Sequence, residues 1–138
     1  MTENTKVILK QKRAEGYIDV AVTVMIVAFV LILAVNLVSL VALHQNVKTI
    51  ADQLTEYASM KGTTEISSYA EELRKKTGID FAYSFASSTT MDSSGKVQLG
   101  ERIVCTVRFQ SSMIGFGDVI HPIDIQASSS RLSQVYWK

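Results

Sequence analysis

The chain has almost none of the residues from which small catalytic or metal centres are built. Its 138 residues include one cysteine, Cys105, and two histidines, His44 and His121. A lone cysteine excludes an intramolecular disulfide and a zinc site of the multi-thiolate kind. One proline, Pro122, and seven glycines exclude a collagen-like or low-complexity chain. Charge of one sign is lacking too: 14 basic residues face 13 acidic ones, so no broad basic field for nucleic acid exists and no nucleic-acid partner is expected. There is no glycine-rich phosphate loop, GxSxG elbow or HExxH pair. The expectation is a chain that is not an enzyme and has neither cofactor nor metal. Its length leaves room for one small domain plus one membrane element.

What the chain does have is a long apolar run. From Val20 to Leu43 no residue is charged, and only Thr23, Asn36 and Ser39 are polar. As a helix this run covers roughly 36 Å, enough to cross a hydrocarbon layer of about 30 Å. The first sixteen residues hold Lys6, Lys10, Lys12 and Arg13 against Glu3 and Glu15, whereas the remainder holds ten basic and eleven acidic residues. Positive charge before the run predicts a cytoplasmic N-terminus, a spanning helix in contact with membrane lipid and an extracytoplasmic C-terminal domain. The run is too long for the core of a secretory signal and ends in His44-Gln45-Asn46, not in a small-residue cleavage motif.

Beyond the run, Val47, Ile50, Ala51, Leu54 and Ala58 recur at spacings of three and four, with Lys48, Asp52, Gln53 and Glu56 on other faces. No glycine or proline interrupts residues 17–61, and Gly62 is the first stop. One helix of about 45 residues follows, membrane-spanning and then amphipathic. Residues 65–77 predict a second helix with the stripe Ile66, Tyr69, Ala70 and Leu73. Ser68 and Glu71 stand at capping-box spacing, and Gly78 follows the basic turn Arg74-Lys75-Lys76. That turn is either a phosphate-attracting site or, as the dipole match favours, a solvated face.

After Gly78 the period becomes two. Phe81, Tyr83 and Phe85 alternate with small residues; so do Ile103, Cys105, Val107 and Phe109 with Val104, Thr106, Arg108 and Gln110, and Ile123, Ile125 and Ala127 with polar neighbours. Turns are predicted at Asp92-Ser93-Ser94-Gly95 and Gly115-Phe116-Gly117-Asp118, with a short strand at Lys96–Leu99 between them. The fold class is α+β: a long N-terminal helix packed on a small antiparallel sheet of three or four strands. The organisation is a basic leader (1–16), a transmembrane helix (17–43), its amphipathic continuation (44–61) and an exposed domain (62–138).

Few residues are candidates for chemistry. Asp118 and His121 share a loop but supply only two ligands, too few for a metal site. Cys105 shares a strand face with Ile103 and Val107, as a core residue would, with a catalytic thiol as the alternative. The serine runs Ser87-Ser88, Ser111-Ser112 and Ser128-Ser129-Ser130 read as loop and strand-edge residues. Asn36 and Ser39, three apart, share one face of the spanning helix, where they either bond a neighbouring helix or bond back to their own backbone. Asp19 lies at the membrane end of the run, where it either meets a partner charge or reaches the headgroups.

The short basic stretch ending at Glu15-Gly16, the apolar helix that starts at once, and the late segments RIVCTVRFQSSM and IDIQASSSRLSQVYW together resemble type IV pilin-like proteins. The closer resemblance is to TadE-like pseudopilins of tight-adherence pilus systems. It covers nearly the whole chain in plan. It implies a pilin-like fold and cleavage by a prepilin peptidase between Gly16 and Tyr17. It also implies assembly with other pilin-like subunits through the N-terminal helix, as a minor pilin or pseudopilin of a pilus, secretion or conjugation apparatus. The family places a glutamate at the fifth mature residue. Here that residue is Ala21, and the acid, Asp19, is at the third. Cleavage would leave an ammonium on Tyr17 with Asp19 the only nearby acid, in a low-dielectric setting where such charges attract strongly. The competing expectation is an uncleaved single-pass adaptor whose outer domain binds another envelope protein.

Overall fold

The computed structural model describes residues 2–86, 89, 92–111 and 122–138, with side chains from Gly16 onward. Ser87, Ser88, Ser112, His121 and the expected turn at 115–118 lie outside the described residues. The elements are α1 (Thr2–Lys61), α2 (Ser67–Thr77), β1 (Ala82–Phe85), β2 (Arg102–Ser111) and β3 (Ile123–Leu132). This is the expected α+β arrangement of a long helix and a small antiparallel sheet.

Two compact units divide the chain, residues up to Val38 and Ser39–Lys138. In the first, α1 starts at Thr2, not at Tyr17 as the sequence predicts. Lys, Leu, Gln, Arg and Ala around the leader are good helix formers, and one interior glycine costs only about 1 kcal/mol against alanine. The apolar side chains that follow are exposed, Tyr17 at 77 % and Val38 at 70 %. Such a surface needs lipid or other helices around it. Among the described residues one helix is long and apolar enough to cross a membrane.

The second unit is built on the amphipathic part of α1. Val47, Ile50, Ala51, Leu54 and Ala58 are all buried, as their spacing predicts, against Ile103, Cys105 and Val107 of β2 and Ile125 and Ala127 of β3. Leu40 and Leu43, the last apolar turn of the run, are half-buried against the same core. The sheet order is β1-β2-β3, antiparallel throughout, with β2 and β3 paired from Arg102↔Leu132 to Ser111↔Ile123 and β1 paired from Ala82↔Arg108 to Phe85↔Cys105. Alternation then aims Ile103, Cys105 and Val107 at the helix and leaves Arg102 and Arg108 exposed on the other face.

Two local expectations are corrected. Lys96–Leu99 is not a strand: only Lys96 makes a bridge, to Thr63, and Val97 N donates to Gly62 O at 2.9 Å. The segment is held against the end of α1 instead of joining the sheet. The capping box is not used either; α2 begins at Ser67 with Ile66 at the N-cap and no side-chain cap. Ile66 is fully buried, so apolar burial sets the start of this helix in place of a cap hydrogen bond. β3 runs through Ser128-Ser129-Ser130 to Leu132, paired with β2 to its end. Gly78 does close α2 in the left-handed conformation, its N–H donating to Arg74 O.

Candidate functional site

The residues singled out along the spanning helix are not gathered into one centre. Gly16 is helical, and a β-carbon placed on it would meet nothing within 4 Å. Tyr17 and Asp19 are exposed, and the Asp19 carbonyl accepts a hydrogen bond from Thr23 Oγ1 at 2.8 Å. Asn36 lies roughly 26 Å further along the helix axis than Asp19. Its Nδ2 donates to Ile32 O at 2.9 Å, and the residue is buried. Ser39 is half-buried and begins the second unit. Each of these residues acts in its own stretch of helix.

The polar chemistry of the second unit is concentrated between α1 and β3. Lys48 Nζ donates to Ser128 O at 2.7 Å, Thr55 Oγ1 reaches Ser129 O at 3.5 Å as well as Ala51 O at 2.6 Å, and Ser59 Oγ donates to Leu132 O. Arg131 pairs with Glu56 at 3.6 Å and Lys48 with Asp52 at 3.4 Å. The helix thereby satisfies carbonyls of a strand that, among the described residues, has no further strand beside it and would otherwise be open to pairing with another chain. Lys48, Asp52, Thr55 and Ser59 lie at i, i+4, i+7 and i+11. That spacing marks a polar helix face, and it was the signal that could have found this seam from the sequence.

A groove of about 670 Å³ opens beside the seam, lined by Lys48, Asp52, Arg102, Arg131 and the serines 128–130. Two of its three cations already have carboxylate partners, and among the described residues no histidine lines the groove beside the serines to act as a base. A second polar clasp closes the far end of α1. Trp137 donates its indole N–H to Gly62 O at 3.0 Å, exchanges two backbone-to-amide bonds with Gln98, and lies under Lys96 Nζ at 4.5 Å. Among the described residues no buried side-chain nitrogen or oxygen lacks a partner.

Cys105 is fully buried, and burial pushes its thiol from 9.0 up to about 11, with the Thr55 hydroxyl bond offsetting only part of that rise. A thiol so placed stays protonated at neutral pH and is a core group, not a nucleophile. Among the described residues no group of three or more His, Cys, Asp or Glu side chains could hold a metal ion. His44 is exposed on the helix.

The architecture defines a class: a small α+β unit carried on a helix whose other half is apolar and exposed. Residues 24–138 match the family described as a domain of unknown function, DUF4320, and the chain belongs to that family. No curated protein and no solved structure matches it.

Proposed function

We propose that this protein is a non-catalytic, pilin-like assembly subunit of the TadE-like kind: a minor pilin or pseudopilin. Its apolar helix spans the membrane before assembly and packs among the helices of neighbouring subunits afterwards. The observation that carries this reading is the division of labour along α1. Val47, Ile50, Ala51, Leu54 and Ala58 are buried in the subunit's own core, while the apolar side chains from Tyr17 to Val38 are exposed among the described residues. In this reading a prepilin peptidase cuts between Gly16 and Tyr17, the N-terminus is cytoplasmic until then, and the new Tyr17 ammonium pairs with Asp19 of a neighbouring copy.

Intact mass and N-terminal sequencing of the protein recovered from its own host's membranes test the proposal. A chain that begins at Tyr17 supports it; a chain that keeps residues 1–16 overturns it. One observation favours a second reading: Gly16 and Tyr17 lie inside a continuous helix, where a peptide bond resists a protease until it unwinds. An uncleaved, single-pass adaptor would keep that helix intact and function normally as an Asp19→Asn variant, whereas the assembly subunit loses incorporation.

A further inference from the structure

The edge of β3 that faces away from β2 is closed at some residues and open at others, and the alternation of backbone hydrogen bonds shows which. Val104 turns its backbone to the β1 side: its N–H donates to Thr89 Oγ1 at 3.0 Å and its carbonyl accepts from Ala86 N at 2.9 Å. Ser130 is paired opposite Val104, so its own N–H and carbonyl point to the open side of the sheet. Ser133 N donates to Glu101 O at 2.8 Å, which sets the same alternation from the end of the strand. Asp124, Gln126, Ser128 and Leu132 therefore direct their backbone groups outward as well. Side chains of α1 take two of these carbonyls, Ser128 O through Lys48 and Leu132 O through Ser59. Among the described residues nothing bonds the backbone N–H or carbonyl of Ser130, Gln126 or Asp124 on that side.

The groove of about 670 Å³ lies at this open stretch: serines 128–130 line it together with Arg102 of β2 and Lys48 of α1. Its cations are Lys48, Arg102 and Arg131. Asp52 approaches Lys48 at 3.4 Å and Glu56 approaches Arg131 at 3.6 Å, both as half-exposed pairs. Such pairs are worth about 1 kcal/mol or less and yield to a competing carboxylate. Glu101 adjoins Arg102 in sequence but does not line the groove. Arg102 is exposed and forms no ion pair or side-chain hydrogen bond among the described residues. An unpaired strand edge and an uncommitted cation thus meet in one groove, inside the second unit alone.

We propose that β3, from Asp124 to Ser130, accepts an extended acidic segment of a partner protein as a fourth strand. Main-chain bonds to Gln126 and Ser130 supply the pairing, over about 20 Å of strand. The residue opposite Ser130 places its side chain on the face that Ser130 shares with Val104 and Arg102, so a carboxylate there meets the free guanidinium. A carboxylate on the next residue turns to the other face, where it draws Lys48 from Ser128 O and frees that acceptor for the incoming backbone. A small anion would engage Arg102 and leave the edge unused; the N–H and carbonyl of Ser130, open together, match one residue of an antiparallel strand. The surface serves an assembly subunit and an uncleaved adaptor alike.

The test follows backbone amides of the full-length, isotope-labelled chain in non-ionic micelles by NMR. The probe is a short strand-forming peptide of threonine and valine with two adjacent central glutamates, added to millimolar concentration. The Ser128 and Ser130 amide signals are expected to shift, and exchange of the Ser130 amide hydrogen should slow by about fivefold or more as the peptide saturates. The same peptide with N-methyl groups on alternate amides should bind about tenfold more weakly, because the main-chain bonds are gone. A version with lysines in place of the glutamates should not bind. Arg102→Gln should weaken the acidic peptide by about two- to fivefold, and its spectrum shows directly that the fold is intact. Unchanged Ser128 and Ser130 amides would overturn the proposal. Equal binding of the N-methylated peptide would mean that the groove takes carboxylates and not strands, and equal binding of the lysine peptide would remove the acidic preference; either overturns it, as does an unchanged affinity in Arg102→Gln. A Ser130 amide already protected without peptide, and exposed on dilution, would assign the edge to a second copy instead.

Discussion

Gly62 and Gly16 carry the same side chain in opposite circumstances. Gly62 ends α1 at φ +63°, and a β-carbon on it would stand 2.7 Å from Val135 Cβ and 2.9 Å from Trp137 Nε1. Gly62→Ala is therefore expected to destabilise the second unit by about 1–3 kcal/mol, with denaturant midpoints as the measurement. Gly16→Ala meets nothing and should add about 1 kcal/mol of helix propensity, so loss of processing in that variant would report on the peptidase and not on folding. Cys105 makes a different residue-scale prediction. The unfolded thiol ionises near 9.0 and the folded one at about 11. Between those values the folded state keeps a proton that the unfolded state gives up, so stability falls as pH rises through that window. The fall is about 2–3 kcal/mol across it, and the full contribution is present below it. Denaturant midpoints followed from pH 8 upward should slope down in the wild type, and Cys105→Ala should lose that part of the slope.

At the scale of the element, α1 is one helix with two surroundings. Leu54 is fully buried among β2 and β3 side chains, whereas Leu37 is 62 % exposed. Leu54→Ala should cost about 2–5 kcal/mol of the second unit's stability, because it removes contacts and leaves a cavity. Leu37→Ala should leave that stability within about 0.5 kcal/mol of the wild type and show its effect only in membrane or helix-helix association. Urea unfolding of both variants in the same mild detergent makes the comparison, and a Leu54 cost below that of Leu37 would contradict the packing. β3 is equally divided: its β2 side is paired along ten residues, and α1 side chains cover carbonyls on it.

At the scale of the whole molecule, the core of the second unit reaches down into the apolar run. Leu40 and Leu43 pack against it, so the compact unit begins at Ser39 and not where the charged residues begin. A chain of residues 39–138 is expected to unfold cooperatively and remain monomeric in solution. A chain of residues 47–138 lacks both leucines and should be about 1–3 kcal/mol less stable. Thermal unfolding followed with light scattering distinguishes the two; equal stability would show that Leu40 and Leu43 contribute nothing. Among the described residues the apolar side chains from Tyr17 to Val38 are exposed, and that surface is what the proposed assembly role uses.

The sequence by itself determined which side chains turn inward. The stripe from Val47 to Ala58, the alternation around Cys105, the stop at Gly78 and the length of the apolar run are all set by periods of 3.6 and 2 or by one backbone conformation. These depend only on near neighbours in the chain. The tertiary structure alone decided the rest. Lys96–Leu99 has strand-like composition, yet it lies against Gly62 because the clasp of Gln98 and Trp137 holds it there. Ser68 and Glu71 have capping-box spacing, yet the N-cap is the buried Ile66, two residues before Ser68, and the helix starts without them. The bonds from Lys48, Thr55 and Ser59 to β3 join residues more than seventy positions apart. Local pattern carries no information about which distant carbonyl a hydroxyl will meet, and the fold supplies it through the burial of one shared core.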